Sequence, residues 1–160
     1  MRTSGRTAII ALAAMFGLNA QPSQASNIVA DLDQVAMVMK KAGYQAELGS
    51  NLGERFLTAE LDGYKFMVLP YGCDDTKRNC KSLQFFIAFN PESSPSLEAI
   101  NAYARENRWG RVYLDKDGDP ALEFDLDLEK GGMSEDLFLD NVAYWEAIVQ
   151  AYAKFVFGER

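Results

Sequence analysis

The chain has 160 residues, with 16 basic against 23 acidic side chains, a net charge of −7 and no histidine. Such acidity argues against nucleic-acid backbones and anionic lipid surfaces as partners, and the missing imidazole excludes Ser-His-Asp and Cys-His catalysis. The length suits one ordinary domain.

Residues 1–25 read as a targeting signal. Arg2 and Arg6 precede an apolar run, Ala8 to Leu18, that is too short to span a bilayer. Ser23-Gln24-Ala25 offers the small-x-small pattern of a cleavage site, so cleavage is expected after Ala25, with Ala20 as the second choice. Loss of Arg2 and Arg6 leaves 14 basic against 23 acidic residues, a charge of −9. The mature chain, residues 26–160, is then expected to be periplasmic or secreted, with no membrane association after cleavage.

Ile28 to Ala42 reads as a helix, with Ile28, Leu32, Val35 and Met39 at helical spacing and Gly43 at its end. Tyr44 to Leu48 alternates as a short strand, and Gly49 to Gly53 is turn-rich. Arg55 to Asp62 is a second strand, closed by Asp62-Gly63. Tyr64 to Tyr71 is apolar on both sides, as a central strand would be, and Pro70 should weaken or bulge its ladder.

Cys73 and Cys80, the only cysteines, flank a polar loop and read as a disulfide in an oxidising compartment. A zinc site wants four ligands and a redox pair wants the two-residue spacing. Ser82 to Asn90 follows as a strand whose Leu83, Phe85, Ile87 and Phe89 face inward, and it should pair antiparallel with Tyr64–Tyr71 across the bridged loop.

Ser94-Pro95 is expected to start a second helix, with Leu97, Ile100 and Tyr103 or Ala104 inward and an end near Arg108. Trp109 to Leu128 then reads as a β-hairpin. Leu122, Phe124, Leu126 and Leu128 alternate with Glu123, Asp125, Asp127 and Glu129, one face on a core and one in water. Val112 and Leu114 must share the apolar face, because a one-residue slip would bury carboxylates. Pairing Leu114 with Leu122 and Val112 with Phe124 satisfies this, with a three- or five-residue loop centred on Gly118. That register sets Arg111 beside Asp125 and Tyr113 beside Glu123. Ser134 should cap a long last helix with the inward stripe Phe138, Val142, Trp145, Val149, Tyr152 and Val156. The order is α-β-β-β-β-α-β-β-α, an α+β fold with helices on one face of an antiparallel sheet.

Chemistry is sparse. No Gly-rich loop joins a strand to a helix, no cofactor is implied, and the carboxylates stand in open rows rather than in a cleft that would raise a pKa. Asp115-Lys116-Asp117-Gly118-Asp119 copies the start of a calcium loop, with Asp115, Asp117 and Asp119 as weak ligand candidates. Pro120 and Leu126 then stand where that loop needs glycine and a bidentate glutamate. Trp109, Arg111, Tyr113, Glu123, Asp125 and Asp127 form a candidate binding face for a protein or peptide partner, since an open sheet face edged by aromatics suits that task.

Several motifs resemble the YbjN domain family. They are Tyr71-Gly72-Cys73, Cys80-Lys81-Ser82-Leu83 running into Phe85, and Arg108-Trp109-Gly110-Arg111-Val112-Tyr113-Leu114-Asp115 followed by Gly118-Asp119-Pro120. Ala42-Gly43-Tyr44, Ile100-Asn101 and Trp145 fit as well, so the likeness runs from Asn27 to Phe157. The resemblance implies a fold similar to type III secretion chaperones and a role labelled as regulation of bacterial sensory transduction. It transfers no catalytic residue. It leads to the expectation of a non-enzymatic adaptor or regulatory domain. The alternative is a small-ligand or calcium-responsive sensor built on the Asp115–Asp119 turn. Type III chaperones pair as dimers, so a homodimer is compatible with the resemblance.

Overall fold

In a computed structural model that describes residues 27–158, the chain enters the fold extended rather than helical. Ile28 bridges Met133 and Ala30 bridges Cys80, so this segment is pinned at two points before any helix begins. The helix expected from Ile28 starts four residues later, because Asp31 caps it by accepting from the backbone N–H groups of Asp33 and Gln34. The expected signal, residues 1–25, lies outside the described residues.

Helix α1 (Leu32–Lys41) buries Leu32, Val35, Ala36, Val38 and Met39. Strands β1 (Gln45–Asn51), β2 (Glu54–Leu61), β3 (Tyr64–Tyr71) and β4 (Ser82–Ala88) form a meander. Helix α2 (Leu97–Glu106), strands β5 (Arg111–Leu114) and β6 (Pro120–Asp127), and helix α3 (Glu135–Phe157) complete the order expected from the sequence. All six strands form one antiparallel sheet in the order β1-β2-β3-β4-β6-β5. The hairpin's outer arm, β6, therefore lies between β4 and the short edge strand β5.

The sheet buries one face. Ala59, Phe66, Val68, Phe85 and Phe124 share one core with the stripe of α3, where Trp145 lies with its ring centroid 5.6 Å from Phe66 and 5.8 Å from Phe85. Phe138, Val142, Trp145, Val149, Tyr152 and Val156 are all buried, the stripe anticipated from their spacing. Ser134 caps this helix through Leu137 N–H. No helix among the described residues is long and apolar enough to cross a membrane.

Four expectations need correction or refinement. The β1–β2 turn is Leu52-Gly53 alone, so β1 runs on through the stretch read as turn-rich. Pro70 weakens one ladder but causes no bulge: pairing with β2 ends at Val68, while the ladder with β4 runs straight through Pro70. Helix α2 is capped by Ser96, which accepts from Ala99 N–H, rather than by Ser94, and the later start leaves Leu97 exposed while Ile100 is buried.

The fourth concerns the hairpin register. Val112 stands opposite Leu122 and Leu114 opposite Pro120, two residues from the expected pairing. Asp115 N–H donates to Asp119 O at 2.9 Å and Gly118 N–H to Asp115 O at 3.1 Å, which makes a three-residue loop centred on Asp117. Glycine is needed at the last loop position, where Gly118 has φ +83°, and not at the centre. A shift of two preserves which side chains face the core.

Candidate functional site

Because side chains alternate along each strand, the same register that buries Ala59, Phe66 and Phe85 turns a second set outward. One row across the sheet runs Thr58, Met67, Phe86, Glu123 and Arg111, each paired with the next. Beside it Leu69, Gln84 and Asp125 form a second row, and Tyr71, Ser82 and Asp127 a third. Phe56 belongs to this face too, and its ring lies over Gly49, where a Cβ would come within 2.5 Å of it. The helix-borne rings pack on the other face.

The face has an apolar centre. Phe56, Met67, Leu69 and Phe86 are neither buried nor fully exposed, and Tyr71 is 48% exposed at the margin. Carboxylates surround them at Glu47, Glu60, Asp125 and Asp127, with Lys65 as a nearby cation. Sequence reasoning missed this centre. Its signal was the adjacent pair Phe85-Phe86, which alternation must split between the two faces, and the two-sided apolar character of Tyr64 to Tyr71.

The polar side of the face is ordered by hydrogen bonds. Glu123 is only 7% exposed, against the expectation of a solvated row. Its Oε2 pairs with Arg111, while its Oε1 accepts from the Tyr113 hydroxyl at 2.5 Å. Tyr113 stands opposite Ala121 and reaches Glu123 diagonally, so both residues expected to serve separate carboxylates converge on one. The Arg111 guanidinium also sits 5.8 Å from the centre of the Tyr113 ring. Burial, reinforced by the bond to Glu123, pushes the Tyr113 phenol up to about 12.

Next to this triad, Gln84 donates to Asp125 at 2.9 Å and accepts from the Tyr71 hydroxyl at 3.2 Å. Asp125 itself is exposed, as is Asp127, which accepts from Glu129 N–H at 3.0 Å.

Trp109 is not on this face. A φ of +79° breaks the alternation between Trp109 and Arg111, and the indole turns to the helix side, 5.2 Å from the ring of Tyr144 on α3. Asp115, Asp117 and Asp119 do not converge either. Asp115 Oδ1 accepts from the N–H groups of Asp117 and Asp119, and Lys116 donates to Asp117, so the carboxylates of Asp115 and Asp117 bind the turn's own groups. Among the described residues no group of three or more His, Cys, Asp or Glu is placed to hold a metal ion.

Cys73 and Cys80 are joined by a disulfide. Inside its loop Asp74 accepts from the Thr76 and Asn79 side chains, both at 2.6 Å. Those bonds hold its carboxyl down to about 2. The cavity lined by Tyr103, Asn107, Gly110 and Ile148, about 20 Å³, has room for one water molecule and not for an organic substrate.

The fold defines a single-sheet α+β domain with one face of its sheet left uncovered by helices. Residues 31–157 match the model of the YbjN family, described as "Putative bacterial sensory transduction regulator", and the chain belongs to that family. The description is regulatory and names no reaction. Comparison with curated proteins gives no match.

Proposed function

We propose that this chain is an exported, non-catalytic regulatory domain that holds a protein or peptide partner against the uncovered face of its sheet. The observation that carries the reading is the apolar centre of that face: Phe56, Met67, Leu69 and Phe86 lie partly exposed on a side no helix covers. Contiguous apolar surface rimmed by polar groups is where soluble domains bind partners. The disulfide supports an oxidising compartment, consistent with the signal read at residues 1–25. The acidic rim favours a partner with basic side chains at its edge.

A pull-down from that compartment compares the wild type with a Phe56→Ser/Phe86→Ser variant shown to be folded. Partners recovered with the wild type and lost with the variant support the reading. Substrate turnover abolished by Glu123→Gln would overturn it. The calcium-responsive alternative has its own test, a melting curve with and without calcium, because a ligand at one hundred times its dissociation constant adds about 2.7 kcal/mol. The bonding of Asp115 and Asp117 within the turn favours no shift.

A further inference from the structure

The sheet has two edges, and they are protected differently. A helix packs against each edge strand, α2 against β5 and α1 against β1, but β5 is only four residues long. β1 is seven residues long, QAELGSN, with no lysine, no proline and no bulge in its register with β2. Natural edge strands carry such devices because an unprotected edge recruits another strand.

The groups on the free edge can be assigned. A two-residue hairpin closes on a pair that exchanges both backbone bonds, here Asn51 with Glu54. By alternation Gln45, Glu47, Gly49 and Asn51 bond to β2, while the N–H and C=O groups of Ala46, Leu48 and Ser50 point outward. Leu48 is 44% exposed and Leu52, just past the strand, is 97% exposed. Within one copy Leu48 is only part covered, opposite Leu57, and Leu52 stands almost wholly in solvent.

We infer that β1 pairs antiparallel with β1 of a second copy of this chain, about a two-fold axis at Leu48. Leu48 is the midpoint of the strand, so this register alone uses its full length. It sets Leu48 against Leu48 of the other copy and, on the same side of the sheet, Leu52 against Tyr44 in both directions. On the other side it sets Gln45 against Asn51 and Glu47 against Gly49. Moving the axis one residue to Glu47 would put two carboxylates face to face, which is unfavourable. The pairing is isologous and closed, and it joins two uncovered faces into one continuous surface. It is independent of the partner-binding reading above.

A single strand pair falls below the roughly 1,200 Å² of a standard interface, so the association is weak and concentration-dependent. Sedimentation of the chain from about 10 µM to about 1 mM, a span chosen to bracket weak association, should show its mass rising towards twice the monomer. Leu48→Lys should remain monomeric and folded, with at most a small fall in melting temperature, since Leu48 stands at the margin of the core opposite Leu57 and is 44% exposed. Leu48→Cys should give a disulfide-linked dimer, whereas Leu137→Cys, equally exposed on α3, should not. If Leu48→Lys fails to fold, the Leu48→Cys cross-link decides. A chain monomeric throughout, a dimer indifferent to Leu48→Lys, or cross-linking through Leu137→Cys alone would overturn the inference.

Discussion

Arg111 pairs with Glu123 directly across the β5–β6 ladder, an exposed guanidinium closing over a carboxylate that is nearly withdrawn from water. Breaking a fully buried pair by removing one partner costs roughly 3–5 kcal/mol, but the Arg111 side chain is 65% exposed. The expected cost of Arg111→Ala is therefore about 1–2 kcal/mol. Glu123→Gln keeps an acceptor for Tyr113 and should cost less. Urea denaturation of the two variants and their double mutant measures the coupling, and additive effects would show that the pair contributes nothing of its own.

The same triad sets a limit at alkaline pH. Folding raises the Tyr113 phenol from its ordinary 10.0 to about 12, so the folded state favours the protonated form. The corresponding stability is fully present below pH 10.0 and is lost progressively as pH rises to about 12. Asp74 runs the other way, since its carboxyl is lowered from 3.8 to about 2. Its contribution is present above pH 3.8 and is lost as pH falls towards 2. Stability against pH should fall less steeply above pH 10 in Tyr113→Phe, the remaining loss coming from Tyr44, Tyr71, Tyr103 and Tyr152, which burial also raises, and less steeply below pH 4 in Asp74→Asn, the rest coming from Asp33, which its bond to Arg55 lowers.

The disulfide ties three segments together. Cys80 bridges Ala30 of the entering chain, Lys81 N–H donates to Tyr71 O, and Leu128 N–H donates to Lys81 O. Replacing both cysteines with serine should cost about 2–3 kcal/mol by the chain-entropy estimate for so short a loop. Hydrogen exchange should show the loss first at Ala30 and the start of β4, not in α3.

Trp145 is wholly buried among Phe66 and Phe85, and its indole Nε1 finds no acceptor. Trp145→Ala should cost about 3–5 kcal/mol through the cavity it leaves. Trp145→Phe should cost markedly less, because the phenyl ring refills most of that cavity. Acrylamide should quench Trp109, 54% exposed, and spare Trp145.

Much of the fold was legible because its elements obey simple periods. The stripe from Phe138 to Val156 repeats at helical spacing, and β6 alternates without a break, so element order followed. Four things were not. The entering segment looked helical because Ile28 falls in phase with Leu32, and the bridges from Ile28 to Met133 and from Ala30 to Cys80 hold it extended. Hairpin register depended on which loop position carries the left-handed residue, a choice between two arrangements that bury the same side chains. Trp109 left its expected face through one backbone angle that composition does not encode. The apolar centre of the open face was hidden in strands whose two-sided character read as full burial, although helices were expected on one face only.

The central claim is that the uncovered face is the working surface. Its most direct test is a photo-cross-linking residue placed at Phe86 in cells, with a control at Ala151 on the outer side of α3. The account predicts a discrete adduct from position 86 that disappears when Phe56→Ser is added, and none from position 151. Adducts from position 151 alone, or none from position 86 while the folded protein is abundant, would contradict it.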